Sequence, residues 1–102
     1  MNISIDFDDT YTRDPECWNL FIELCKYRGH NVYCITARTP KQSDDVLSSI
    51  GKIIGHENCL FTSMSAKKKY AYSKGISIDV WIDDLPIFVD TGIDIEPGEI
   101  YV

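Results

Sequence analysis

Short segments with strand periodicity alternate along this chain with amphipathic helical segments, and that alternation restricts the fold more than any other feature. Ile3, Ile5 and Phe7 alternate with Asn2, Ser4 and Asp6, the period-two pattern of a first strand. Asp14-Pro15 starts a helix, with an acid at the N-cap and proline at the first position. Cys17, Leu20, Phe21, Leu24 and Cys25 then keep helical spacing up to Gly29. Residues 31–36 read as a second, buried strand. Thr39-Pro40-Lys41-Gln42 is a capping box for a second helix, whose stripe is Val46, Leu47, Ile50, Ile53 and Ile54, ending by Gly55. Residues 59–62 give a third strand. A third helix starts near Ser65, turns Tyr70 and Ala71 inward and stops at Lys74-Gly75. Residues 78–83 form a fourth strand. Residues 87–89 suit either a helical turn or an edge strand, and 98–102 read as a last strand.

The order β-α-β-α-β-α-β with a final strand predicts an α/β fold: a three-layer, Rossmann-like parallel sheet of about five strands with helices on both faces. Right-handed crossovers bring the carboxyl ends of all strands to one edge, where ligands bind in such sheets. A chain of 102 residues suits a single domain, 1–102. Apolar content of 44% and charged content of 25% are those of an ordinary globular protein. No apolar run approaches the ~20 residues of a membrane span, and Asp6 interrupts the only apolar start, so the expected location is cytoplasmic. A net charge of −6 argues against a broad nucleic-acid surface while permitting a small phosphorylated substrate. Cys17, Cys25, Cys34 and Cys59 lack Cys-x-x-Cys spacing and only His30 and His56 accompany them, which disfavours zinc. All four cysteines are expected to be reduced core residues.

The edge where the strands end collects chemistry. The first strand runs into Asp6-Phe7-Asp8-Asp9-Thr10, the second ends in Thr36-Ala37-Arg38, the third helix opens with Lys67-Lys68-Lys69, and the fourth strand ends in Asp83-Asp84. Carboxylates this close repel one another, so a cation or a raised pKa must compensate, and Mg²⁺ is the natural guest of such oxygens. Three lysines in a helix's first turn oppose its dipole, a local rule broken in the way sites break it. Taken singly, Thr36 reads equally as a hydroxyl capping the next loop and Asp83-Asp84 as the start of a turn. Arg38 is placed either to reach a second anion on a substrate or to pair with a surface acid. Trp81 reads as a core residue.

Asp6-x-Asp8-x-Thr10, Thr36, a lysine near 67 and Asp83-Asp84, in this order and on these elements, resemble the four motifs of the haloacid dehalogenase (HAD) superfamily. The resemblance spans residues 3–84 and implies a Mg²⁺-dependent phosphohydrolase working through an aspartyl-phosphate. Asp6 would be the nucleophile and a metal ligand. Asp8 would be the acid and base, with its carbonyl on the metal and its pKa lifted by the crowding of Asp6 and Asp9. Thr36 and the Ala37 amide would bind phosphate. Asp83 would bind Mg²⁺, with Thr10 and Asp84 close behind. Lys67, chosen over Lys68 and Lys69 by its spacing to Gly75, would neutralise charge on the phosphoryl group and on Asp6. No segment is long enough for a cap domain, so the site should be open to a phosphorylated end of a larger molecule or to a neighbouring subunit. A strand at 98–102 would offer an edge for pairing with a second copy. A phosphoacceptor receiver domain is disfavoured, because residues 59–62 bring no acid to the end of the third strand. A Mg²⁺- and phosphate-binding regulatory domain without turnover is the alternative, against which the acid at Asp8 speaks.

Overall fold

The computed structural model describes residues 1–91. Four parallel strands form one sheet: β1 (Asn2–Ile5), β2 (Asn31–Thr36), β3 (Cys59–Phe61) and β4 (Val80–Ile82), in the order β3-β2-β1-β4. β1 is paired on both edges, with Ile3 opposite Val32 on one side and Val80 on the other. Ile5, Cys34 and Ile35 are fully buried, as strands covered by helices require. The fold is therefore α/β with a parallel sheet, and the strand order reverses across β1. The expected strand at 98–102 lies outside the described residues, and β3 and β4 are shorter than the sequence pattern suggests. Ile78 and Asp79 precede β4 instead of belonging to it; there Asp79 is tied to Asn2 through its amide (2.8 Å to the Asn2 carbonyl) and its carboxylate (2.7 Å to the Asn2 amide).

Helix α1 (Pro15–Tyr27) begins as its sequence dictates, with the Asp14 carboxylate accepting from the Cys17 amide at 3.2 Å. It ends at Gly29, whose φ of +82° lets the His30 amide turn back to the Cys25 carbonyl. The buried face differs from the expected one. Ile22 and Cys25 are buried with Trp18 and Phe21 packed beside them, whereas Leu20, Leu24 and Cys17 face solvent. Two apolar stripes overlap on this helix, and the aromatic one wins. The Trp18 indole donates to the Thr10 carbonyl at 2.9 Å, and its ring meets Phe21 edge-on at 5.9 Å, which fixes the rotation of the helix. Cys17 is thus no core residue, while Cys25, Cys34 and Cys59 are buried free thiols.

The expected second helix is interrupted. Pro40–Gln42 is one turn of 3₁₀ helix, followed by α2 (Asp44–Ser48) and α3 (Ile50–Ile54). The break falls at Ser49, whose hydroxyl bonds to the Asp45 carbonyl and competes with the helical ladder. Val46, Ile50 and Ile54 are still buried, so the apolar stripe survives the break. Helix α4 (Lys67–Ser73) starts two residues later than expected and buries Ala71, with Tyr70 half-buried. Of the two readings of residues 87–89, the helical one holds: α5 is Ile87–Asp90. Trp81 in β4 is half-buried. Helix α1 packs on α3 and β2, and α4 on β2 and α5. Among the described residues no helix is long and apolar enough to cross a membrane.

Candidate active site

Asp6 follows β1 directly, and its amide continues the ladder to the Ile82 carbonyl at 2.9 Å, so its position is set by the middle of the sheet. The chain then folds back sharply. Asp9 takes a left-handed φ of +61°, and the Tyr11 and Thr12 amides return to the Asp6 and Phe7 carbonyls. Stacking of Phe7 on Tyr11 at 5.8 Å buries both rings beneath this turn. The turn delivers the buried Thr10 hydroxyl to within 3.3 Å of one Asp6 oxygen and of one Asp84 oxygen, while the Asp84 amide donates to it at 3.2 Å. Thr10 therefore ties the end of β1 to the end of β4.

Of the three consecutive lysines, Lys67 is the one turned inward, at 2% exposure, and Lys68 and Lys69 are exposed. Its ammonium donates to Asp6 at 2.8 Å and to Asp83 on the other side. Burial raises the Asp6 pKa to about 6 despite the pull of Lys67, with the Asp84 hydrogen bond and the Asp83 charge adding to it. For Lys67, burial works against the ammonium, but its bonds to the two acids outweigh that and hold its pKa above the ordinary value. With two acids facing one lysine, the ammonium stays charged and Asp6 is largely ionised at neutral pH.

Asp83 also accepts from the Leu85 amide at 2.9 Å, so the turn reading and the site reading of Asp83-Asp84 both describe it. The same duality holds at Thr36. Its buried hydroxyl accepts from the Arg38 amide at 3.3 Å, and it lines the pocket together with Ala37. That pocket, about 170 Å³, gathers Asp6, Asp8, Thr36, Lys67, Asp83 and Asp84. A larger hollow of about 370 Å³ lies at the opposite, amino end of β2, between Lys26, His30, Val32 and Ile54. It brings together no carboxylate, so its size does not select it.

Asp8 departs from expectation. Its carboxylate turns to Arg38, which grips it through two nitrogens at 2.8 and 2.9 Å. Those bonds hold the Asp8 pKa below the usual carboxylate value, opposite to the lift expected from its acidic neighbours. Arg38 also bonds Asp45 and the Gln42 carbonyl and lies over the Phe7 ring at 4.9 Å. Of its two sequence readings, pairing with surface acids is the one seen. Asp45 and the pocket residues Met64, Leu85 and Phe88 escape sequence reasoning, because a lone acid on a helix and scattered apolar side chains carry no pattern.

One oxygen each from Asp6, Asp83 and Asp84 lie within 4.8 Å of one another. Three acids set against one lysine leave excess negative charge, and the donor set is all oxygen. Both features fit a hard divalent cation. No family model, no curated protein and no solved structure matches this chain.

Proposed function

We propose that the chain is a Mg²⁺-dependent phosphohydrolase of the haloacid dehalogenase type, cleaving a phosphate monoester through an aspartyl-phosphate on Asp6. The observation that carries this reading is the Asp6 carboxylate itself. It is buried at the end of the middle strand, held between Lys67 and Thr10, and opens onto the pocket with Thr36. The reading includes a three-layer, capless architecture, and the connections between the described elements are short.

In the first step an Asp6 oxygen attacks phosphorus, and the bond from phosphorus to the leaving oxygen breaks. Asp8, at the mouth and half exposed, takes up a proton from solvent once its grip on Arg38 loosens and passes it to that oxygen. In the second step Asp8, now ionised, takes a proton from water as the water oxygen attacks phosphorus. Inorganic phosphate leaves and the Asp6 carboxylate is restored. Lys67 neutralises Asp6 before the attack and the phosphoryl oxygens during it, while Thr36 and the Ala37 amide hold those oxygens. Asp6, Asp83 and the Asp8 carbonyl would hold the Mg²⁺, with Asp84, expected behind them, close enough to serve as a further ligand; when bound the ion would offset phosphoryl charge that otherwise repels the nucleophile.

The Arg38–Asp8 pair favours one other reading, a Mg²⁺- and phosphate-binding domain without turnover, since the proton donor is tied up at rest. Release of inorganic phosphate from a panel of monoesters, with and without Mg²⁺, decides between them. Turnover that needs both Mg²⁺ and Asp6, and is lost in Asp8→Asn with metal binding intact, supports the enzyme. A folded protein that binds Mg²⁺ and turns over nothing supports the binder.

A further inference from the structure

The pocket has two unlike sets of lining residues: the polar Asp6, Thr36 and Lys67, and the apolar Met64, Leu85 and Phe88. These three are apolar groups at an aqueous rim, with Leu85 51% and Met64 38% exposed. The backbone goes to some trouble to place Met64 there. Ser63 and Met64 are consecutive non-glycine residues at positive φ, +53° and +71°, a conformation that costs on the order of 1 kcal/mol or more at each. It is held because the Ser63 and Met64 amides bond the Arg38 and Ala37 carbonyls at 3.1 and 2.9 Å, pinning this loop to the one that carries the phosphate-binding Ala37. Leu85 and Phe88 follow β4, just past Asp83-Asp84.

Charge on the same walls limits what can lie there. Lys67 is the one cation among the described residues lining the pocket, and Asp6 and Asp83 already hold it. Arg38 is not among the described lining residues, and Asp45 and the Gln42 carbonyl hold its Nη1 even when Asp8 lets go. Asp8, Asp9 and Asp84 would repel a second anion.

We propose that Met64, Leu85 and Phe88 form the leaving-group side of the pocket, and that the substrate is a monoester of an uncharged alcohol bearing an aromatic ring. Phe88 offers a face for stacking, and the Met64 thioether a soft contact for a ring edge. A neutral nucleoside meets this description, as does a simpler aromatic alcohol; a sugar bisphosphate does not. The inference rests on the phosphohydrolase reading and deepens it.

The test compares kcat/KM for benzyl phosphate and ethyl phosphate, two alkyl esters whose alcohols leave with similar difficulty, in Mg²⁺. The wild type should favour benzyl phosphate by about tenfold, the scale of one modest apolar contact in an open site. In Met64→Ala and in Phe88→Leu that ratio should fall toward one, and benzylphosphonate should lose its advantage over ethylphosphonate as an inhibitor. Met64 is exposed enough that its truncation leaves folding intact. A propanediol bisphosphate should be a poorer substrate than ethyl phosphate. Equal turnover of both esters by the wild type, or an undiminished ratio in both variants, overturns the inference and leaves the phosphohydrolase reading standing. Absence of turnover on every ester overturns that reading, and this inference with it.

Discussion

Asp6→Asn should make the metal-free protein more stable while removing its proposed activity. The shift of the Asp6 carboxyl from 3.8 to about 6 means that ionising it in the fold costs about 3 kcal/mol more than in the unfolded chain. Asparagine keeps the geometry: its oxygen can accept from Lys67 and its amide can donate to the Thr10 hydroxyl. That figure is already net of the attraction of Lys67, which retains Asp83 in the variant, and a neutral amide in place of the carboxyl recovers only part of it. A net stabilisation of about 1–2 kcal/mol at pH 7.5 in EDTA is expected, each kcal/mol raising Tm by about 4–8 °C in a domain this small. The sign with pH follows from the raised pKa. The folded protein takes up its proton near 6 and the unfolded chain near 3.8, so the wild type loses stability as pH rises between those values. The advantage of the variant should thus be absent near pH 4 and complete by pH 7. Saturating Mg²⁺ should reverse the order by binding the wild type preferentially, by about 2.7 kcal/mol at a hundred times Kd. Urea unfolding across this pH range gives the answer. A variant less stable than the wild type at pH 7.5 in EDTA, or a difference that ignores pH, would refute the reasoning.

Other expectations concern the helix face, the thiols and the arginine. Ile22→Ala should cost about 2–5 kcal/mol in urea unfolding and Leu20→Ala less than about 0.5, because the first is fully buried and the second 74% exposed; comparable losses would mean the helix is rotated. In the native protein an aromatic disulfide reagent should titrate one thiol rapidly, Cys17, since Cys25, Cys34 and Cys59 are buried and burial raises the pKa of each; Cys17→Ser should abolish that phase. Arg38→Gln should raise the Asp8 pKa, seen by carbon NMR of its carboxyl. The stability it removes should stay within about 1 kcal/mol, because Asp8 is half exposed. That contribution is present above the unfolded carboxyl pKa and lost as pH falls through the lower folded value; a pKa unmoved by the substitution would contradict the pairing.

How far the sequence reaches depends on what kind of signal each feature leaves. The strands read well because β-branched residues in period two, as at Ile3 and Ile5, suit a pleated, packed surface, although Ser4 on the opposite face is buried as well. The lysine cluster stands out because three lysines at a helix start have no electrostatic reason to be there, and the spacing to Gly75 selects Lys67 among them. The face of α1 was misread because Leu20 and Leu24 are as apolar as Ile22, and periodicity cannot weigh an indole hydrogen bond against two leucines. The break at Ser49 was invisible for a similar reason: its stripe of Val46, Ile50 and Ile54 stays in phase across it. Asp8 shows the harder limit. Its neighbours in sequence, Asp6 and Asp9, point to a raised pKa, yet the group that decides is Arg38, thirty positions away in the chain. Long-range pairing of this kind leaves no local trace.

The measurement that bears hardest on the account is a search for the covalent intermediate on Asp6. Protein mixed with ³²P-labelled benzyl phosphate and Mg²⁺ would be quenched in acid within a turnover, digested and mapped. The account predicts label on the peptide containing Asp6, released by hydroxylamine as an acyl phosphate is, and absent from Asp6→Asn or without Mg²⁺. Phosphate released at full rate with no label trapped, or turnover that persists in Asp6→Asn, would contradict it.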